Sequence, residues 1–162
     1  MKTAVIYYSY EGSTALVAEL IREELKADIF EIKTRINKKR KGFAKYFWGG
    51  LEVVTHKKPA LLPLSIDINK YDLVVLGSPV WAGSPSSPVF SFLTGTEIKG
   101  KKIALFCCCA GGKGKVFEKL KGLLPGNTFA GEIEFIKPSV KNSAKLKQKI
   151  GEWVKTLSSN FS

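Results

Sequence analysis

Among residues able to do chemistry, the densest cluster is Ser9-Tyr10-Glu11-Gly12-Ser13-Thr14, where hydroxyls alternate with a carboxylate and a glycine. If a helix starts in this turn, its first backbone N–H groups have no intrahelical acceptor and its dipole presents a positive end. With Ser9, Ser13 and Thr14 adding hydroxyl donors, the turn becomes a cradle for an anion, most naturally a phosphate. The same residue types are ordinary helix N-caps, so the turn alone leaves a capped helix without a ligand equally open. It has neither the lysine of a P-loop nor the G-x-G-x-x-G spacing of dinucleotide sites.

Other chemistry finds little support. Cys107, Cys108 and Cys109 are consecutive. That spacing cannot make a disulfide framework, and with no C-x-x-C or histidine nearby it makes no metal site. Buried strand thiols in a reducing compartment are the expectation. His56 stands beside Lys57 and Lys58 as the single histidine. It reads as solvated, with proton delivery as the alternative, and no Ser-His-Asp or Cys-His constellation can be built on it. Two stretches remain. Pro79-Val80-Trp81-Ala82-Gly83 displays a large aromatic in a Pro- and Gly-punctuated segment, able to cover a helix or to stack on a planar ring. Cys109-Ala110-Gly111-Gly112-Lys113-Gly114 clusters glycines that let a ligand approach the backbone, although glycine also simply ends strands.

The elements that must position these residues follow from periodicity. Thr3 to Tyr8 is β-branched and aromatic, and Ala15, Leu16, Ala18, Leu20, Ile21 and Leu25 form a helical apolar stripe, so the first cluster is a strand-to-helix turn. Asp28 to Lys33 alternates like an edge strand. Residues 34–63 are irregular, and within them Phe43, Phe47, Leu51 and Val54 fall at helical spacing near Gly49-Gly50. A basic crossover helix packed by its aromatic face is expected there, a membrane- or nucleic-acid-binding helix being the alternative. Tyr71 to Gly77 is a near-continuous apolar run, the mark of a strand buried on both faces. Ser78 to Pro85 is expected to leave that strand as a loop, followed by a helix over 88–93. Lys102 to Cys108 predicts another buried strand, 115–124 a helix, 128–136 a last strand and 139–157 a terminal helix with Ile150, Trp153, Val154 and Leu157 inward.

Strand and helix alternate five times, which predicts an open, mostly parallel α/β sheet with helices on both faces. The three candidate stretches follow the first, third and fourth strands, so all emerge at the carboxyl edge, where open α/β sheets bind ligands. Two motifs in order then give a family resemblance. Ser9-x-Glu11-Gly12-x-Thr14 resembles the T/S-x-T-G-x-T phosphate turn of the flavodoxin family, and the stretch from Tyr71 to Leu93, with Gly77-Ser78-Pro79-Val80-Trp81 followed by Pro85, resembles its G-S-P-V-W-x-x-x-P-x-P segment. The resemblance spans nearly the whole chain. It implies a flavodoxin-like three-layer sandwich, a five-stranded parallel sheet in the order 2-1-3-4-5, and FMN as cofactor. It also implies that Ser9, Tyr10, Glu11, Gly12, Ser13 and Thr14 surround the phosphate. Pro79, Val80, Trp81, Ala82 and Gly83, with Cys109, Ala110, Gly111, Gly112 and Gly114, would frame the ring. Glu11 departs from the family pattern by placing a carboxylate beside a phosphate dianion. The nearest aromatic to the last loop, Phe117, falls inside a helix, leaving one ring face open.

At 162 residues and 44% hydrophobic the chain suits one domain, 1–162, with a sizeable core. Without a secretion signal or an apolar run of the ~20 residues needed to span a bilayer, a cytoplasmic location is expected. The net charge is +12, with +8 in residues 33–58, another +8 from 101 to the end, and −3 over the first 32. Such a field favours acidic partners. An FMN-dependent electron carrier with acidic redox partners is therefore the leading reading, with an NAD(P)H or quinone reductase as the alternative. A flavin-free basic binding module ranks third, and nucleic acid is disfavoured.

Overall fold

The computed structural model describes residues 1–36, 51 and 58–159. The predicted helix over residues 43–54, except Leu51, lies outside these residues, as does His56. In chain order the elements are β1 (Thr3–Tyr7), α1 (Ser13–Leu25), β2 (Asp28–Glu31), β3 (Leu73–Trp81), β4 (Ser84–Pro85), α2 (Ser87–Gly95), β5 (Lys102–Cys109), α3 (Val116–Gly122), β6 (Thr128–Ile136) and α4 (Ser143–Ser159). The parallel strands lie in the order β2-β1-β3-β5-β6, with the two-residue β4 paired only to the end of β3. Leaving β4 aside, this is the expected order.

Alternation along the strands builds the three layers. Ala4 and Ile6 of β1, Val74 and Leu76 of β3, and Ile103, Leu105 and Cys107 of β5 enter one core with Val89, Phe92, Leu93, Val116, Phe117 and Leu120 of α2 and α3. Their neighbours Val5, Tyr7, Leu73, Val75, Ala104, Phe106 and Cys108 enter the other, against Val17, Ala18 and Ile21 of α1 and Leu146, Ile150, Trp153 and Leu157 of α4. β1, β3 and β5 are thus apolar on both faces, whereas β2 at the edge is half exposed. Gly77 has a packing reason: a Cβ there would lie 2.0 Å from the Phe106 ring, which crosses β3 at this point.

Two boundaries differ from the sequence reading. Ser78 to Pro85, expected as a loop, instead continues β3 to Trp81 and folds back as β4, with Val80 opposite Pro85 and Trp81 opposite Ser84. Proline is tolerated here because β4 is a two-residue edge with no further strand to serve. The reversal uses Ala82 at φ 48° and Gly83 at φ 69°, the pair of positive angles that matches a hairpin to the strand twist. Flanking the undescribed residues 37–50, Thr34 bridges Leu61, and Arg35 N–H donates to the Ala60 carbonyl at 2.9 Å.

Candidate functional site

The first wall of the site is the turn from β1 into α1. Gly12 takes φ 102°, and its carbonyl accepts the first helical bond from Leu16 N–H at 2.9 Å. Ser9 Oγ accepts from Gly12 N–H at 3.1 Å and from Ala15 N–H at 3.2 Å, so this hydroxyl braces the turn from within. Thr14 is buried and its hydroxyl bonds the Cys108 thiol. What faces outward is the Ser13 hydroxyl with the Ser13 and Thr14 N–H groups, which take no acceptor among the described residues. This donor set suits an anion at the positive end of α1.

The second wall is the β3–β4 hairpin. Trp81 is half buried and held edge-on by two tyrosines: Tyr8 with centroids 6.0 Å apart at 89°, and Tyr10 at 5.9 Å and 86°. Such T-shaped pairs orient the indole and leave it little rotational freedom. Below the turn, Ser86 N–H donates to Ser78 Oγ at 3.0 Å, closing the hairpin onto the start of α2. The third wall follows β5, which runs through Cys109 rather than ending at Cys108. Its exit loop lies directly on the hairpin: Lys115 N–H donates to the Gly83 carbonyl at 2.9 Å, and a Cβ on Gly114 would lie 2.5 Å from Gly83 Cα. Gly83 and Gly114 therefore serve a backbone-to-backbone contact between the two loops.

These walls enclose a cavity of about 500 Å³ at the carboxyl edge of the sheet, a usual size for a small-molecule site. Tyr10, Glu11, Ser13, Thr14, Pro79, Val80, Trp81, Ala82, Cys109 and Ala110 line it. The other sequence candidates do not: Ser9 and Gly12 shape the turn behind it, Gly83 and Gly114 join the loops, and Gly111 and Gly112 lie on the exposed exit loop. Cys108, Lys137, Pro138 and Ser139 line the cavity without having been singled out in the sequence. The last three form a fourth wall, because β6 neighbours β5 and turns there toward α4. Lys137 N–H donates to the Cys109 carbonyl at 2.9 Å. A proline after a strand is a weak signal, and only the pairing of β6 with β5 reveals its place.

Burial sets the chemistry of the thiols. It pushes the Cys108 thiol up to about 12, opposed in part by the Thr14 hydrogen bond. Burial likewise raises Cys107 and Cys109. All are protonated at neutral pH and supply no thiolate nucleophile. Among the described residues no cluster of His, Cys, Asp or Glu could hold a metal. The cavity thus has hydroxyl and N–H donors at one end and an aromatic, apolar surface at the other, with Glu11 and Lys137 also in its lining. It suits a molecule with an anionic tail and a planar head.

Known proteins share this fold. The family model for flavodoxin matches residues 2–157. A flavoprotein from Lactobacillus acidophilus NCFM, solved in complex with FMN, is 28% identical over 90% of this chain and 97% of its own, with a TM-score of 0.71. A protein from Bacteroides eggerthii shares the fold at a TM-score of 0.79 and 22% identity, covering 97% of this chain and 98% of its own. The oxidised flavodoxin 1 of Bacillus cereus does so at 0.53 and 21%, covering 96% and 98%. No curated protein matches the sequence.

Proposed function

The chain belongs to the flavodoxin family, and from that premise we propose that it carries FMN as an electron-transfer protein, with the cofactor in the carboxyl-edge cavity. The observation that carries the reading is the convergence of the β1, β3 and β5 exits on one cavity, polar at the α1 end and aromatic at the hairpin end. In this assignment the Ser13 hydroxyl and the Ser13 and Thr14 N–H groups hold the phosphate, in a turn braced by Ser9 and Gly12. Pro79 to Ala82 and Cys109 to Ala110 border the ring, and Gly83, Gly111, Gly112 and Gly114 shape the loops that frame it. The flavin supplies the redox chemistry; the protein binds it, orients it and sets its potential. No membrane-crossing role is suggested by the helices, since none among the described residues is long and apolar enough to cross a membrane. The basic charge points to acidic redox partners.

An NAD(P)H or quinone reductase is the second reading. It is favoured by the exit loop of β5, which brings Ala110 to the cavity and no aromatic to cover the far ring face. The visible spectrum of the purified protein, recorded before and after FMN and then NADH and NADPH, tests both. A yellow protein that ignores both nucleotides is the expected result for a carrier. Bleaching by either one would make it a reductase, and a protein that leaves FMN unperturbed would remove the flavin assignment.

A further inference from the structure

The fourth wall carries an inference that rests on the FMN reading and extends it. Of the residues lining the cavity, one carries a carboxylate side chain, Glu11, and one an amine, Lys137. Glu11 sits in the turn proposed to hold the phosphate, where a carboxylate beside a phosphate dianion brings like charges together and raises the cost of binding. Lys137 faces the same cavity from the end of β6.

Its position is fixed by contacts with the strand next door. The Lys137 N–H is bonded to the Cys109 carbonyl at 2.9 Å, and the preceding thiol, Cys108, lies 3.9 Å from the Ser13 carbonyl. Two contacts therefore link Lys137 to the first residue of α1. The backbone of this wall has little to offer a ligand. Lys137 N–H is used, Pro138 has none, and Ser139 N–H donates to Asn142 Oδ1 at 2.9 Å within a capping box. Of the wall's side chains, the Ser139 hydroxyl donates to Asn142 Oδ1 at 3.4 Å, whereas the Lys137 ammonium is exposed and has no carboxylate partner among the described residues. Lys137 holds φ at 45°, a turn that directs the chain onto the α1 face of the sheet, where α4 packs against α1.

We propose that Lys137 is a phosphate-binding residue, a cation from the last strand's exit that offsets Glu11 and makes the site selective for the phosphorylated flavin over riboflavin. A lysine serves here as a mobile point charge able to reach a phosphate oxygen beside the α1 N–H groups.

The test uses the full chain and two ligands that differ only in the phosphate. Lys137→Gln is expected to weaken FMN binding about 10-fold while changing riboflavin binding less than about 2-fold, the FMN loss shrinking as salt rises. Lys137→Arg keeps the charge and should restore tight FMN binding. Glu11→Gln should tighten FMN and leave riboflavin unaffected. Lys141→Gln, four residues on, exposed and outside the cavity wall, should change neither. Equal losses for FMN and riboflavin in Lys137→Gln would overturn the assignment, as would an unchanged FMN affinity. If the unmodified protein binds neither flavin, the FMN reading itself falls. If it binds FMN tightly and Lys137→Gln does too, only the role of Lys137 falls.

Discussion

The turn at the head of α1 and the pair of loops at the hairpin end each depend on glycine, yet they use it in opposite ways. Gly12 has nothing within 4 Å of where a Cβ would stand; its hydrogen is needed for a backbone angle of 102°, which frees the helix start to face outward. Gly114 combines φ 54° with a backbone neighbour, Gly83, that a Cβ would strike at 2.5 Å. The first glycine sets a backbone angle without a close neighbour, and the second lets one loop lock onto another. Fixed donors at one end and interlocked loops at the other make a site whose two halves should fail differently when altered.

The largest effect is therefore expected at the interlock. Gly114→Ala must displace backbone as well as strain it, and should cost roughly 3 kcal/mol of stability, the upper range for overpacking. Gly12→Ala adds strain without a clash and should cost about 1–2 kcal/mol. Urea midpoints of the two variants measure the difference, and an equal or larger loss at Gly12 would mean that the loops are not mutually supported. Ring binding gives an independent check. Riboflavin, which has no phosphate, should lose affinity in Gly114→Ala far more than in Gly12→Ala.

Much of the contrast was hidden from the sequence, for identifiable reasons. The buried strands were legible because β1, β3 and β5 are apolar on both faces, and the turn into α1 because hydroxyls and glycine precede a helical stripe. The hairpin was not: Pro79, Gly83 and Pro85 all read as breakers, while Ala82 at positive φ has no signature, since turns of that kind usually begin with asparagine or aspartate. Gly114 read as room for a ligand, although the nearby body is Gly83. Lys137 carried no local signal, because its place depends on which strand lies beside β5 and which helix packs beside α1.

Titration of the core beneath the turn into α1 comes next in size. Cys108 ties that turn to β5 through Thr14, and burial holds its thiol up at about 12 against an ordinary 9.0. Tyr7, buried near Glu31 and Glu19, is likewise raised to about 12 from 10.0. A group whose proton is held more tightly in the folded state contributes full stability below its unfolded value and loses it as pH rises toward the folded one. Stability should be flat up to about pH 9 and fall from there toward 12. Cys108→Ala should reduce the slope of that fall while leaving the contributions of Tyr7 and of the buried Cys107 and Cys109 thiols. An unchanged slope would show that the thiol under the turn is not held as buried.

A smaller loss is expected at the brace of the turn. Ser9→Ala removes the acceptor for Gly12 and Ala15 N–H, and by analogy with helix caps should cost about 1 kcal/mol. Because Ser9 lies behind the cavity, its loss should loosen FMN more than riboflavin. The ratio of the two affinities therefore reports disorder at the anionic end alone. A loss equal for both ligands would mean that the two ends are not independent.

The mildest effect should appear in the potential, which reads charge at the ring end. Lys113 and Lys115 stand on the exit loop after β5, although part of the Lys113 charge is engaged with Glu132 at 3.7 Å. Reduction adds negative charge to the flavin ring, so nearby ammonium groups lower its cost and raise the potential. Removing both lysines as a Lys113→Gln/Lys115→Gln pair should make the couple to the fully reduced state more negative by tens of millivolts, on the order of the 59 mV that equals a tenfold change for one electron. Lys137→Gln, at the end proposed for the phosphate, should move it far less. A redox titration in which Lys137→Gln shifts the potential more than the loop pair would place that ammonium beside the ring, and the division of the cavity into an anionic end and a redox end would have to be redrawn.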